Sequence, residues 1–291
     1  MRSWRASGFV FLCAATGACT SPDVSTASSS GGSASTGSAS TGSASSGSTT
    51  SGSSGSSTSS TGGSTIANCV LVPLYAYPSD GTTWVDLAAA ATAHPGVEIV
   101  AIVNPDDGPG QVKDPAFTDG IAALQAANVT VIGYVATQYG MKPSATVDSE
   151  TDQYAALYPG LDGIFFDEMS SDTGLIAKYG GLGSHAKAVI GGITVGNPGT
   201  SVAVGLLTTM DRVVVYENPG LPDPASLTEA TANASRDKFA ILPFNVPTLD
   251  ASFVASAADK ARCIYITDDD VPNPWDTLPD YFDNLLGLLD P

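Results

Sequence analysis

The sequence predicts one α/β domain, a (β/α)8 barrel of the TIM type, behind a signal peptide and a disordered Ser/Thr/Gly linker. From residue 70 onward, eight short runs rich in β-branched residues alternate with Ala-rich stretches of helical length. The runs are apolar on both faces, as parallel strands are when helices cover both sides of the sheet. A doubly wound open sheet is the alternative, but eight repeats without a G-x-G-x-x-G motif after the first run favour the barrel.

The strands are predicted at 70–75, 98–103, 129–135, 162–167, 192–196, 211–217, 239–245 and 263–268. The helices are predicted at 83–93, 115–127, 148–157, 172–190, 201–209, 224–235, 250–261 and 277–289. In a barrel of such units every strand ends at the same face, which is where the active sites of this fold lie.

The first 18 residues are predicted to be a signal peptide. Arg2 and Arg5 precede an apolar stretch, 6–18, that is shorter than the ~20 residues of a membrane-spanning helix. Small residues just before Cys19 resemble a bacterial lipoprotein signal, in which cleavage before the cysteine is followed by lipidation of its thiol. An ordinary signal peptide cleaved nearby is the alternative. We therefore expect an exported chain, either lipid-anchored at the outer surface of the cell envelope or secreted.

Residues 19–67 form a predicted tether, and residues 68–291 form the predicted catalytic barrel. The tether is almost entirely Ser, Thr, Gly and Ala between 24 and 65, so it has no apolar run from which to build a core. The barrel carries a formal charge of −19. Such a surface repels phosphate backbones and anionic lipid, which argues against nucleic-acid binding and against membrane contact other than through the lipid anchor.

Two cysteines remain in the barrel. Cys69 stands at the start of the first predicted strand and Cys263 at the start of the eighth, and barrel closure makes these two strands neighbours. A disulfide is therefore expected in an exported chain, with two free buried thiols as the alternative.

Polar side chains gather where the predicted strands end, and their chemistry suits a sugar. Carboxylates and amides bind hydroxyl groups, and aromatic rings pack against the faces of sugar rings. The candidate substrate-binding residues are Tyr75, Tyr77, Asn104, Tyr134, Thr137, Asn197 and Asn245.

Three carboxylates are the candidate catalytic residues: Asp167 and Glu168 after the fourth strand and Glu217 at the end of the sixth. Burying a carboxylate is costly without a partner or a task, although such acids can also cap the following helix. Glycoside hydrolysis needs two carboxyl groups. His94 and His185 do not follow strands, so a Ser-His-Asp triad or a histidine-bound zinc site is not expected. We predict no metal and no cofactor, and a solvated loop rather than a calcium site at 267–270.

Four segments resemble, in order and spacing, the successive motifs of the spherulin-4-like family: 72–78 (VPLYAYP), 103–105 (VNP) with 108–110 (GPG), 133–137 (GYVAT) and 163–168 (GIFFDE). Asp106 and Asp107 depart from the family's usual polar or serine-containing loop. The resemblance implies a (β/α)8 barrel. It also implies an activity, because the family includes glycoside hydrolases of family 135 that cut α-1,4-linked N-acetylgalactosamine in microbial polysaccharides. The family's catalytic acids fall by resemblance on Asp167, Glu168 and Glu217.

The favoured hypothesis is an exported, endo-acting α-1,4-N-acetylgalactosaminidase, or a related hydrolase of an amino-sugar polysaccharide that is possibly cationic. Asp167 would be the nucleophile or its electrostatic equivalent, Glu217 the general acid/base, and Glu168 a support. The two roles could be exchanged, or the 2-acetamido group of the substrate could attack. The alternatives are a non-catalytic glycan-binding protein of the cell surface and a structural surface protein with a vestigial site.

Overall fold

The computed structural model describes residues 67–290. The predicted signal peptide, Cys19 and all but the last residue of the tether lie outside the described residues, so these domain boundaries stay predictions. Within 67–290, none of the helices combines the length and apolarity needed to cross a membrane.

Eight parallel strands close into a barrel in sequence order, which confirms the predicted fold. The strands are β1 (Cys69–Leu74), β2 (Glu98–Val103), β3 (Thr130–Ala136), β4 (Gly163–Asp167), β5 (Ile193–Gly196), β6 (Arg212–Tyr216), β7 (Phe239–Ile241) and β8 (Cys263–Ile264). Apart from their ends their side chains are almost wholly buried, because the barrel interior and the outer helices cover both faces of the sheet.

Each strand is followed by a helix on the outside of the barrel. The helices are α1 (Thr83–Ala93), α2 (Pro115–Ala126), α3 (Ser144–Leu157), α4 (Ile176–Val189), α5 (Val204–Leu207), α6 (Pro224–Thr231), α7 (Ala251–Ala258) and α8 (Phe282–Leu289). The helices α2 and α6 start alike: an Asp side chain, Asp114 or Asp223, accepts a hydrogen bond from the first-turn backbone, and proline takes the first helical position.

The last two strands are shorter than predicted. The sequence predicts strands at 239–245 and 263–268, but regular pairing stops at Ile241 and Ile264. A register irregularity lies between Val214 and Tyr216, where β6 pairs with β7. Pro243 comes two residues after the end of β7, and its nitrogen has no hydrogen to donate to a neighbouring strand. The chain beyond Ile241 and Ile264 therefore continues as irregular segments at the barrel mouth.

The closing seam is held by a disulfide between Cys69 and Cys263. The two residues are register partners of β1 and β8, and their Cα atoms lie 4.2 Å apart. Next to them the Arg212 guanidinium donates to both carboxylate oxygens of Glu98 at 2.9 Å, and Arg262 contacts the same carboxylate at 2.7 Å. Both bonds from Arg212 start from its Nη2, and hydrogen bonds between charged groups are stronger than those between neutral groups. The amino-terminal ends of the strands are thus firmly connected.

The opposite face carries strained backbone. Five of the six non-glycine residues with positive φ in the described chain lie in the segments that follow strands: Asp107, Gln138, Tyr139, Glu168 and Asn245. This conformation is costly for residues with a Cβ, and it tends to be retained at functional sites. The polar residues at the carboxyl ends of the strands are therefore the candidates for a functional site.

Candidate active site

Asp167, the last residue of β4, is a carboxylate surrounded by donors. Asn197 Nδ2 donates to its Oδ1 at 2.8 Å, and the Tyr134 hydroxyl and the Glu168 backbone N–H also donate to its carboxylate. Burial raises the pKa of Asp167, while the three donors act in the opposite direction by stabilising the charged form. The net effect is a raised pKa, and the three donors are the contacts that stabilise the charged form of Asp167.

Glu217 follows β6 directly, and its side chain reaches the same amide. Asn197 Nδ2 donates a short hydrogen bond to Glu217 Oε2. Burial, followed by the negative charge of Asp167, raises the pKa of Glu217 to about 8. Glu217 has one side-chain donor that lowers its pKa, whereas Asp167 has two as well as a backbone donor, so the charged form is better stabilised on Asp167 than on Glu217.

Asn197 joins the two carboxylates, and its own orientation is fixed. The side chain is 4% exposed. Its Oδ1 accepts the Gly199 N–H at 2.9 Å, which leaves the NH2 group facing the acids. Its backbone N–H donates to Phe166 at 2.9 Å, and its carbonyl accepts from Met169 at 2.8 Å. The sequence predicts Asn197 as a sugar ligand, but in the structure its amide is used to hold Asp167 and Glu217 together.

Glu168 turns away from Asp167 onto the segment after β3. Its left-handed backbone (φ 51°) lets its carbonyl accept from Thr137 Oγ1 and Tyr139 N–H, both at 2.7 Å. Its carboxylate accepts the backbone N–H of Gln138. Burial and the charge of Asp167 raise the pKa of Glu168, and Lys142 opposes them. Glu168 thus fixes the β3–α3 segment beside the carboxylate pair.

Tyr75 and Tyr134 form an aromatic wall at the pair. Their rings meet edge to face with centroids 5.6 Å apart, and Tyr134 stacks on Phe165 at 6.3 Å. Burial and the charge of Asp167 raise the pKa of both phenols well above the ordinary value. Both therefore remain neutral hydroxyls that can donate to a carboxylate or to a sugar oxygen.

Four predicted sugar ligands have their polar groups engaged by the protein. Tyr77 donates to the Asp114 carboxylate at 3.0 Å and packs on Phe117. The remaining three contacts shape loops: Asn104 Oδ1 accepts Gly108 N–H at 2.7 Å, Asn245 Nδ2 donates to Asp270 at 2.9 Å, and Thr137, wholly buried, donates to Glu168. These residues position the walls of the site, because position after a strand does not determine which way a side chain turns.

Asp107 contributes a negative charge at the site, although it is not among the residues predicted from the sequence. This exposed residue has a left-handed backbone (φ 52°) in the loop that Asn104 closes. Its negative charge contributes to raising the pKa of Asp167 and of Glu168, so it lies close enough to influence both. The sequence pattern that could have identified Asp107 is an Asp directly before a glycine in the loop that follows a strand. Within 67–290, no group of three or more His, Cys, Asp or Glu side chains is arranged to hold a metal ion.

A model of the family described as "Spherulation-specific family 4" matches residues 69–289, the whole barrel. The chain belongs to this family. The match confirms the resemblance seen in the four sequence motifs. Spherulin-4 of Physarum polycephalum is 40% identical over 153 residues, which are 52% of this chain and 45% of that protein. The chain therefore matches less than half the length of this relative.

A solved structure shares the fold and part of the sequence. The crystal structure of Aspergillus clavatus Sph3 in complex with GalNAc matches with a TM-score of 0.69 and 27% identity, over 77% of this chain and 98% of that chain. The likeness supports a glycoside hydrolase-like barrel for this family member. Two carboxyl groups across one site are the arrangement that such enzymes use.

Proposed function

We propose that this protein is an exported glycoside hydrolase that cleaves an amino-sugar polysaccharide, as an endo-acting α-1,4-N-acetylgalactosaminidase or a closely related enzyme. One observation carries the proposal: a single buried amide, that of Asn197, holds Asp167 and Glu217 together in a site that favours different protonation states for the two. A purely structural role for these acids, such as helix capping, would not need this arrangement.

The protonation states assign the roles. Glu217, with its pKa raised to about 8, carries a proton at neutral pH and acts as the general acid toward the glycosidic oxygen. Asp167, with donors from Tyr134, Asn197 and the backbone of Glu168, is the anion that faces the developing positive charge of the sugar ring. This supports the order of roles that the sequence analysis favours.

The proposal includes retention of the anomeric configuration, because one amide holds the two acids close together. The two bonded carboxylate oxygens accept from one nitrogen, so they lie within roughly 6 Å of each other, about twice a hydrogen-bond length. Retaining enzymes place their carboxyl groups about 5–5.5 Å apart, and inverting enzymes about 6.5–9.5 Å apart to admit a water. Attack by Asp167 followed by hydrolysis of the glycosyl-enzyme gives retention. The 2-acetamido group lies cis to the leaving oxygen of an α-linked GalNAc unit and cannot displace it from the opposite face, so the proposal uses Asp167.

The substrate class is supported from two sides. The structural relative Sph3 was crystallised with GalNAc, which is an amino sugar. The barrel of this chain is strongly acidic, which favours neutral chains or cationic, partly de-N-acetylated ones over anionic polysaccharides. Export through residues 1–18 and anchoring through lipidated Cys19 complete the proposal and place the enzyme where it meets such a polymer.

The test is product analysis with α-1,4-linked GalNAc polymer, fully acetylated and partly deacetylated, as substrates. The parent chain, Asp167→Asn, Glu217→Gln and the surface control Asp80→Asn are incubated separately, and products are identified by mass spectrometry. We expect oligosaccharides from the parent and the control, and at least about 10²-fold less from the two site variants. Proton NMR of the first products should show the substrate's own α anomer. Glycan retained without cleavage would instead support the binding-protein alternative.

A further inference from the structure

A buried tyrosine of α3 reaches the end of the barrel where the acids lie. Tyr154 is wholly buried. Its hydroxyl donates to the carbonyl of Val103, the last residue of β2, at 3.2 Å and accepts the backbone N–H of Tyr134 in β3 at 3.1 Å. Regular pairing of these two strands ends with Val103 and Gly133. The tyrosine hydroxyl therefore connects the strands at the point where their own pairing stops.

The ring of Tyr154 fits against β3 because residue 133 is a glycine. A Cβ on Gly133 would lie 2.9 Å from three carbons of the Tyr154 ring, which is closer than packed atoms approach. Tyr158, on the next turn, packs beside this ring with centroids 6.3 Å apart. Burial raises the pKa of Tyr154 well above its ordinary value, so the hydroxyl keeps the proton that it donates to Val103. The packed ring holds this hydroxyl in one place.

The residue whose backbone Tyr154 holds is one of the donors to Asp167. Tyr134 donates its side-chain hydroxyl to the Asp167 carboxylate. On the other side of β3 its register partner is Phe165 of β4, two residues before Asp167, and the two rings stack. The Tyr134 backbone is thus held from both sides, by β4 and by the Tyr154 hydroxyl. The place of the Tyr134 hydroxyl depends on that backbone, because the side chain projects from it.

We infer that Tyr154 is a positioning residue of the candidate active site: its hydroxyl fixes the Tyr134 backbone and, through it, the hydroxyl that stabilises the Asp167 carboxylate. The inference rests on the proposed function, in which Asp167 is the anion that faces the sugar ring, and it extends that function to a buried residue of α3. Without the Tyr154 hydroxyl, a buried N–H and a buried carbonyl lose their shared partner, which is unfavourable. The end of β3 then shifts, and the donor to Asp167 shifts with it.

The pKa of Asp167 tests the inference without a substrate. The full chain is labelled with ¹³C at the aspartate side-chain carboxyl, and Asp167→Asn identifies the Asp167 signal in the NMR titration. Tyr154→Phe, which keeps the packed ring, should raise the pKa of Asp167 by about 0.5–1 unit, because a displaced Tyr134 hydroxyl stabilises the charged form less well. Tyr134→Phe should raise it at least as much. In the double variant the pKa should rise no further than in Tyr134→Phe alone, since both substitutions act through one hydroxyl.

Tyr158→Phe is the matched control on the same helix. The Tyr158 hydroxyl also accepts a backbone N–H, at 3.2 Å, but this group belongs to Asp114 at the start of α2. Both Tyr154→Phe and Tyr158→Phe remove the acceptor of an N–H, so both should lower Tm, by about 2–6 °C. Only Tyr154→Phe should change the pKa of Asp167. The other acids that interact with Asp167 are present in all of these variants: Asp107, Glu168 and Glu217.

Rates on α-1,4-linked GalNAc polymer complete the test. In Tyr154→Phe the acid limb of kcat should move to higher pH, following the pKa of Asp167, and in Tyr158→Phe it should stay in place. A parent value for the pKa of Asp167 in Tyr154→Phe, or a further rise in the double variant, overturns this inference alone. A parent chain that cleaves no amino-sugar polymer overturns the proposed function, and the NMR titration then still decides whether Tyr154 positions the donor to Asp167.

Discussion

Replacing Asn197 with alanine removes the amide that Asp167 and Glu217 share. Its hydrogen bonds lower the pKa of both acids, so both pKa values rise when the amide is lost. A hydrogen bond to a charged group contributes about 1.5–3 kcal/mol, and one pKa unit corresponds to about 1.36 kcal/mol. The pKa of Asp167 should therefore rise by about 1–2 units, and that of Glu217 should move in the same direction from its value of about 8.

The consequence is a displaced pH profile. Catalysis needs Asp167 ionised and Glu217 protonated, so activity rises through the pKa of the first and falls through that of the second. In Asn197→Ala both limbs should move to higher pH, and kcat should fall about 10²-fold because the acids lose their fixed positions. Initial rates of reducing-end release across the pH range measure both effects on the same polymer.

Asn218→Ala is the matched control. This exposed asparagine follows Glu217 and makes a 3.4 Å contact to Gly199, so its loss should leave both limbs in place. If Asn197→Ala loses activity but keeps the limbs of the parent, the amide does not set the protonation of the pair. If the limbs separate or move to lower pH, the hydrogen-bond argument has the wrong sign.

Three further outcomes are expected. Asp107→Asn should shift the acid limb to lower pH by less than about one unit, because the charge it removes raises the pKa of Asp167; Asp106→Asn, an exposed neighbour, is the control. Glu217→Gln should raise Tm more at pH 8 than at pH 5. The pKa of Glu217 is about 8 in the native protein and 4.5 ordinarily, so the native state loses stability as the pH rises from about 4.5 to 8. Glutamine does not titrate and avoids this loss. Removing the Cys69–Cys263 disulfide, which spans 194 residues, should cost about 5 kcal/mol and lower Tm by about 10–20 °C in calorimetry.

The barrel fold and the location of the acids could be predicted from the sequence. Each strand must be apolar on both faces, and all eight strands must end at the same face of the barrel. For Asn197 the sequence predicts the location after β5 but not the contact with two carboxylates. Phe166 of β4 pairs with Gly196 of β5, so the next residues, Asp167 and Asn197, emerge side by side. Gly196 also pairs with Val213, four residues before Glu217. Two local features then bring Glu217 close to the Asn197 amide. One is the register irregularity where β6 pairs with β7, and the other is the 3.3 Å hydrogen bond from Glu217 N–H to the Gly199 carbonyl.

Side-chain direction could not be predicted in the same way. Tyr75 and Tyr77 both follow β1, yet Tyr75 packs on Tyr134 at the pair and Tyr77 donates to Asp114 at the start of α2. The two side chains point in different directions because the loop after β1 contacts different neighbours. One neighbour lies in β3 and the other in the loop between β2 and α2.

Stability and chemistry lie at opposite ends of this barrel, and the separation has a physical reason. The pair at the carboxyl ends is costly, since burial raises the pKa of Asp167 and Glu217 and several neighbouring residues have positive φ. The amino-terminal ends carry the disulfide and the Arg212–Glu98 pair. The contacts at the amino-terminal ends offset this cost without being part of the carboxylate site. Weakening the Arg212–Glu98 pair should therefore lower Tm while leaving the pH limbs of catalysis unchanged.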